Sequence, residues 1–329
     1  MAKKVCMVVF VVTVFITATS SYADIPTLSI YTIQYTDNPD GSSYYDQQDV
    51  NCNGGIVIHK YLGFRHKLVL YEPNSWDAWG GISVKGDYDT NPTPFSNVQL
   101  GDWIYLENVF VDESGKARGN TDLIFEDISS YSTLSTGNSL PEPLVVEVND
   151  IAVVYDQDLI TCLVTDHRAE KYEAMYIQVR NVTVGDYNDA GSHRDNYSLE
   201  DNNDPNIYCW ESDYMNIDNP DDTTPHPIVQ AGLNLCGVAG ILEQYTKLPD
   251  WDYYQLLTTE EEDFQIEQFA DLDGDCGVDF IDFGLFAQHW LTEEQCTAPD
   301  WCDGTDLTQN GTVNIFDLKE FSERWLEGK

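Results

Sequence analysis

Residues 271–291 read DLDGDCGVDFIDFGLFAQHWL, which crowds five carboxylates into twelve positions directly ahead of an apolar run. Carboxylates held that close repel one another unless a cation or a set of donors sits among them. Counted from Asp271, the acids Asp271, Asp273, Asp275 and Asp282 stand at positions 1, 3, 5 and 12, with Gly277 at 7 and Asp279 at 9. A twelve-residue loop wraps oxygen ligands around Ca²⁺ with this spacing. Alternate side chains converge, position 7 offers its backbone carbonyl, and position 12 arrives from the first turn of the following helix. Adding 35 to each number reaches DLTQNGTVNIFDLKEFSERWL, where Asp306, Thr308, Asn310 and Asp317 take positions 1, 3, 5 and 12, Thr312 takes 7 and Asn314 takes 9. Val278 matches Val313, Phe286 matches Phe321 and Trp290 matches Trp325 at the same offset. Two capped helix N-termini would account for Asp282 and Asp317, but not for the 1-3-5 spacing. The expectation is two Ca²⁺ sites, the first stronger because the second has Thr308 and Asn310 as neutral ligands. Asp279 and Asn314 would act through water.

Two such loop-helix units in tandem resemble a type I dockerin, over about residues 268–327. Position 12 is Asp in both units, as in dockerins, where a calcium-sensor EF-hand would carry Glu. The resemblance implies a small all-α module that docks, with Ca²⁺ bound, onto a cohesin-type domain of a scaffold or cell-surface protein. Two positions depart from the family's pattern. Cys276 stands where a turn-forming Gly is usual, and positions 10 and 11, usually small and polar, are Phe280-Ile281 and Ile315-Phe316. Either the module recognises an apolar surface, or those four side chains pack inside the protein.

The chain opens with Lys3-Lys4, an apolar run from Val5 to Ile16, and the small-x-small triplet Ser21-Tyr22-Ala23. That pattern is expected for a secretory signal peptide at residues 1–23, and the run is too short to span a bilayer. Secretion or cell-surface display follows, with no membrane insertion. Removal of residues 1–23 leaves 14 basic and 57 acidic residues, a formal charge of 14 − 57 = −43. Such a charge suits divalent cations, and with only six Lys or Arg between residues 24 and 140 it argues against a nucleic acid partner. Seven cysteines remain after Ala23, namely Cys52, Cys162, Cys209, Cys236, Cys276, Cys296 and Cys302. In an exported protein they are disulfide candidates. Cys209 with Cys236 is one expected bridge, and three pairings stay open among Cys276, Cys296 and Cys302.

Between residue 24 and Gln268 the pattern is mainly β. Runs such as GIVIHKYL (55–62), HKLVLYE (66–72), LGDWIYLENVFV (100–111) and AMYIQVRNVTVGDY (174–187) are β-branched and aromatic and are bounded by Gly, Pro, Asn and Asp. Leu100-Gly101-Asp102-Trp103-Ile104 recurs in plan as Ala231-Gly232-Leu233-Asn234-Leu235. Two copies of one small barrel are therefore expected, at residues 24–140 and 145–265, ahead of the calcium module at 268–329. The turn-and-strand pattern resembles an OB-fold, and a β-sandwich is the alternative.

The six histidines show no H-E-x-x-H spacing, and neither a G-x-S-x-G elbow nor a phosphate-binding loop is present. Catalytic residues are therefore unknown. CWESDYMN (209–216) and LPDWDYYQLL (248–257) combine carboxylates with rings in the way a sugar-gripping surface does, or else form aromatic core. The sequence reading is an exported calcium-binding protein attached through its C-terminal module, with non-catalytic β domains. Its alternative is a dockerin-bearing enzyme acting on polysaccharide.

Overall fold

The structure is a computed structural model that describes residues 24–62, 66–75, 77–86, 95–113, 119–152, 167–188, 196–216, 229–247, 251–266, 270–274, 277–292, 295–298 and 300–325. The expected signal peptide, Cys162, Asp275 and Cys276 lie outside the described residues. No helix among the described residues is long and apolar enough to cross a membrane.

Strand length drives the architecture. Strand β2 (Asp49–Tyr61) runs for 13 residues, long enough to serve two neighbours at once. Its second half pairs with β3 (Lys67–Tyr71), and its first half with β5 (Trp103–Glu113). With β4 (Gly81–Gly86) and β6 (Thr121–Phe125) the ring closes in the order β2-β3-β4-β6-β5, back to β2. Only the β4–β6 pair is parallel within that ring, as in the five-stranded Greek-key barrel of an OB-fold. A short β7 (Ser130–Ser135) extends the sheet beyond β5.

The second half repeats the plan. Strand β9 (Tyr176–Asn188) pairs with both β10 (Asn196–Asp201) and β12 (Asn234–Lys247), and β11 (Asp204–Ser212) and β13 (Trp251–Leu257) are the one parallel pair in its ring. Before each barrel a two-residue strand lies parallel to the first long strand. These are β1 (Thr27–Leu28) and β8 (Leu144–Val145), each followed by a short helix, α1 (Ile30–Gln34) and α2 (Val148–Ile151). Strand β14 (Phe264–Ile266) adds to β12. The protein is thus mainly β with two closed OB-like barrels, and the sandwich alternative is set aside. The sequence echo at Gly101 and Gly232 is structural. Both glycines take left-handed φ, +81° and +84°, and each donates its N–H to the first long strand, Gly101 to Val57 O and Gly232 to Val184 O.

Apolar side chains fill each ring: Val57, Leu68, Leu70, Ile82, Ile104 and Leu123 in the first, Ile177, Val179, Leu199, Val238, Leu242 and Leu256 in the second. The alternate face of β3 points at the other barrel, where Val69 packs with Ala174, Met215, Ile241 and Leu257. Beside this apolar patch Lys67 Nζ meets Glu243 Oε1 at 2.8 Å, with both side chains buried. Gly81 lies so close that a Cβ there would stand 2.2 Å from Ala174 O.

Residues 270–325 form a third, smaller unit. Helices α3 (Phe280–His289) and α4 (Ile315–Glu323) pack through Phe286 and Phe321, ring centroids 5.3 Å apart, over Val278 and Val313. Cys296 and Cys302 are bridged. The expected Cys209–Cys236 bridge does not form. Cys209 is a buried free thiol that packs inside the second barrel, while Cys236 is disulfide-bonded at its rim.

Removing one partner of a buried ion pair strands the other as an uncompensated charge. Lys67→Met is therefore expected to destabilise the folded state by about 3–5 kcal/mol. The double variant Lys67→Met/Glu243→Met should recover most of that loss, read by urea titration of the four members of the cycle.

Candidate metal centre

The loop ahead of α3 brings the carboxylate oxygens of Asp271, Asp273 and Asp282 within 4.8 Å of one another, the one such grouping of three among the described residues. Local hydrogen bonds shape it. Asp282 Oδ1 accepts from Leu272 N at 2.7 Å and Asp273 N at 3.1 Å, and its Oδ2 accepts from Asp279 N at 2.7 Å. Asp271 Oδ1 accepts from Gly274 N at 2.8 Å. Asp279 caps the helix by accepting from Ile281 N at 2.7 Å. Gly277 is buried beside Val278 at the position that would offer a carbonyl.

The second loop reproduces the first. Asp317 accepts from Thr308 N and Thr308 Oγ1 at 2.8 and 2.7 Å through Oδ1, and from Asn314 N at 2.8 Å through Oδ2. Asp306 accepts from Asn310 N at 3.0 Å and Gly311 N at 2.7 Å. Asn310 Oδ1 accepts from Thr312 N at 3.2 Å, and Asn314 caps α4 through Phe316 N at 2.9 Å. Position 4 is left-handed in both loops, Gly274 at φ +74° and Gln309 at +53°. Position-12 Asp is fully buried in both, and positions 1, Asp271 and Asp306, are nearly so. These are hard oxygen donors at a helix N-terminus, the donor set suited to Ca²⁺ rather than to thiolate- or imidazole-seeking metals.

The two loops differ in what adjoins them. The first sits on the second barrel, with Cys236 Sγ 3.8 Å from Asp271 Oδ2 and a cleft of about 220 Å³ shared with Asn181, Asn202 and Asn234. Positions 10 and 11 settle the alternative the sequence left open. Phe280, Ile281, Ile315 and Phe316 are 77, 58, 61 and 63% exposed, so they lie on the surface rather than in the core.

Outside this module the aromatic stretches behave as packing. Trp210, Tyr253 and Tyr254 are buried in the second barrel and present no ring to a sugar. A cleft of about 500 Å³ opens between the barrels, lined by Ile58, His59, Lys60, Leu140, Tyr176 and Glu260. Burial, with Lys67 nearby, holds His59 down at about 4. Burial opposes ionisation of Glu243, but Lys67 and Lys85 outweigh it and hold that carboxyl at about 2. Burial pushes Glu113 up to about 7 against its donors Ser43 N–H and Thr121 hydroxyl. Burial, then Glu170 and Glu113, raise Glu173 well above the usual range. Sequence reasoning missed this set of interface carboxylates, because 60 residues separate Glu113 from Glu173 and no spacing links them.

No protein-family model and no curated protein matches the chain. Similar solved structures include an OB domain from Methanosarcina mazei, 15% identical with TM-score 0.22, covering 28% of this chain and 77% of that one. Pot1pC of Schizosaccharomyces pombe bound to single-stranded DNA is 12% identical with TM-score 0.23, covering 28% and 83%. The Ifi202 HINa domain in complex with 20-base-pair double-stranded DNA is 11% identical with TM-score 0.30, covering 64% and 92%. The exclusion of nucleic acid drawn from composition is corrected. Similar folds include DNA complexes, and net charge is a sum over the chain whereas a nucleic acid contact depends on the charge of one groove. A likeness this distant brings no ligand to this chain.

The depressed His59 fixes a pH dependence. Between pH 6.5 and about 4 the unfolded chain binds a proton at this residue that the folded chain does not, so stability is full above that window and lost as pH falls through it. The loss is on the order of 3 kcal/mol. Relative to His59→Leu, the natural chain should lose stability between pH 7.5 and 4, read as the difference between the two proteins' denaturant midpoints.

Proposed function

We propose that this chain is an exported calcium-binding protein, attached to a partner through a dockerin-like C-terminal module, with its two barrels serving a binding or structural role. The observation that carries the reading is the convergence of Asp271, Asp273 and Asp282 within 4.8 Å, in a loop whose backbone hydrogen bonds recur 35 residues later. Asp271, Asp273, Asp275, Asp282 and the Gly277 carbonyl would hold one ion, with Asp279 through water. Asp306, Thr308, Asn310, Asp317 and the Thr312 carbonyl would hold the second, with Asn314 through water. A bound Ca²⁺ would neutralise the clustered acids and so stabilise the loops against opening.

The docking surface is supplied by the two exposed apolar first turns. Phe280-Ile281 and Ile315-Phe316 project from equivalent first turns, and exposed apolar patches framed by polar residues mark interaction surfaces. The partner is a cohesin-type or cell-surface protein whose docking site is apolar, in place of the polar contact usual for dockerins.

Calorimetric titration of the full chain with Ca²⁺ tests the metal reading. Asp271→Ala and Asp306→Ala should each abolish one binding event and spare the other. Saturation requiring more than millimolar Ca²⁺ for both loops would end the proposal. Docking is tested by Ca²⁺-dependent retention on an immobilised cohesin domain. Phe280→Asp/Phe316→Asp should weaken retention at least about tenfold, a loss ordinary for apolar anchors, while Ca²⁺ uptake stays unchanged.

A further inference from the structure

The interface between the barrels holds an excess of buried acid. Glu113, Asp122, Glu170, Glu173 and Glu243 are all at most 6% exposed. Two lysines answer them. Lys67 is committed to Glu243, and Lys85 to Asp122. Among the described residues, buried acid therefore outnumbers the cations paired with it. Lys171 lies over the Tyr172 ring at 4.5 Å.

Two of those acids, one from each barrel, meet over a single residue. Thr121 Oγ1 donates to Glu113 Oε1 at 2.8 Å, and Thr121 N donates to Glu173 Oε1 at 2.7 Å. The amide nitrogen and hydroxyl of one threonine lie within about 4 Å of each other, so Thr121 links the two carboxylates. Their Oε1 atoms are further held by Ser43 N at 2.8 Å and Gln34 Nε2 at 3.4 Å. Their Oε2 atoms are different. Glu113 Oε2 and Glu173 Oε2 are both buried and have no hydrogen-bond partner, on side chains only 2% and 1% exposed. Bare, desolvated carboxylate oxygens on two side chains held by the same threonine are costly unless a positive charge answers them.

We propose that the barrel–barrel interface is a cation site, in which Glu113 and Glu173 ligate one divalent, oxygen-seeking ion of the Ca²⁺ class. The chemistry around it suits such an ion and no softer one. The Thr121 hydroxyl and the buried Asn120 amide, whose Nδ2 donates to Asp122 Oδ1 at 2.8 Å, are hard oxygen neighbours. No thiol stands among the residues named here. Because Glu113 ends β5 and Glu173 directly precedes β9, the ion ties one barrel to the other. The site is independent of the two C-terminal loops and stands whether or not they load.

The test uses the full chain carrying Asp271→Ala and Asp306→Ala, which removes the loop sites. Equilibrium dialysis with Ca²⁺ alone should still find one bound ion, and saturating Ca²⁺ should raise the barrels' Tm by at least about 5 °C. Glu113→Gln and Glu173→Gln should each abolish that ion and its thermal shift, while raising the Tm measured in chelator because a buried charge has been removed. Zero bound ions in the double-alanine chain would overturn the proposal, and that stoichiometry decides even where a glutamine variant fails to fold. Binding that survives both glutamine substitutions would also overturn it. So would a Tm that follows pH but ignores Ca²⁺, which would show protons alone neutralising the pair.

Discussion

The buried Lys67–Glu243 pair is the contact on which the arrangement of this protein rests. An ion pair removed from water is held only when its geometry and surrounding donors repay desolvation. Here Glu243 also accepts from Gln255 Nε2 at 2.9 Å and Tyr214 OH at 3.0 Å. Those bonds tie β3 of the first barrel to β12 and β13 of the second, and the apolar patch around Val69 closes beside them. Two OB-like barrels that could each stand alone thus become one body. The outer face of strands two and three is the surface on which OB-folds commonly carry oligonucleotides or oligosaccharides. In the first barrel that face is Lys67, Val69, Gly81 and Ser83, all covered by the second barrel or buried beside it.

The covered face concentrates carboxylates between the barrels, and the C-terminal loops concentrate them again at two helix starts. Both places show the same physics. Acids are brought together by backbone and hydroxyl donors, and the donors do not cancel the charge. A chain with 57 acidic residues can distribute them over its surface at little cost. Gathering them into buried or semi-buried groups calls for a counter-charge, and hard cations supply it with oxygen ligands alone.

How much of this was legible in the sequence depended on range. The loop geometry was readable because all its residues lie within twelve positions, and because Val278/Val313 and Phe286/Phe321 repeat the packing as well as the acids. The long strands were readable from alternation, and the Gly101/Gly232 echo marked the same turn in both barrels. Strands β11 and β13 were not recognised as strands. In β11 the opening Asp204-Pro205-Asn206 breaks the apolar alternation, and in both strands Trp and Tyr carry the burial that Val and Ile carry elsewhere. Rings that resembled a sugar platform proved to be core. The cysteine pairing expected between Cys209 and Cys236 failed because Cys209 points into the barrel, which no count of cysteines reveals. The interface was illegible altogether. Lys67 and Glu243 are 176 residues apart, and Glu113 and Glu173 meet only once both barrels are closed.

Long-wavelength anomalous diffraction from crystals of the full chain grown in Ca²⁺ tests most directly whether its clustered carboxylates are cation sites. Anomalous peaks are expected within ligand distance of Asp282, of Asp317 and of the Glu113–Glu173 pair. A map with no peak at either C-terminal loop, from crystals in which both loops are ordered and free of lattice contacts, would contradict this expectation.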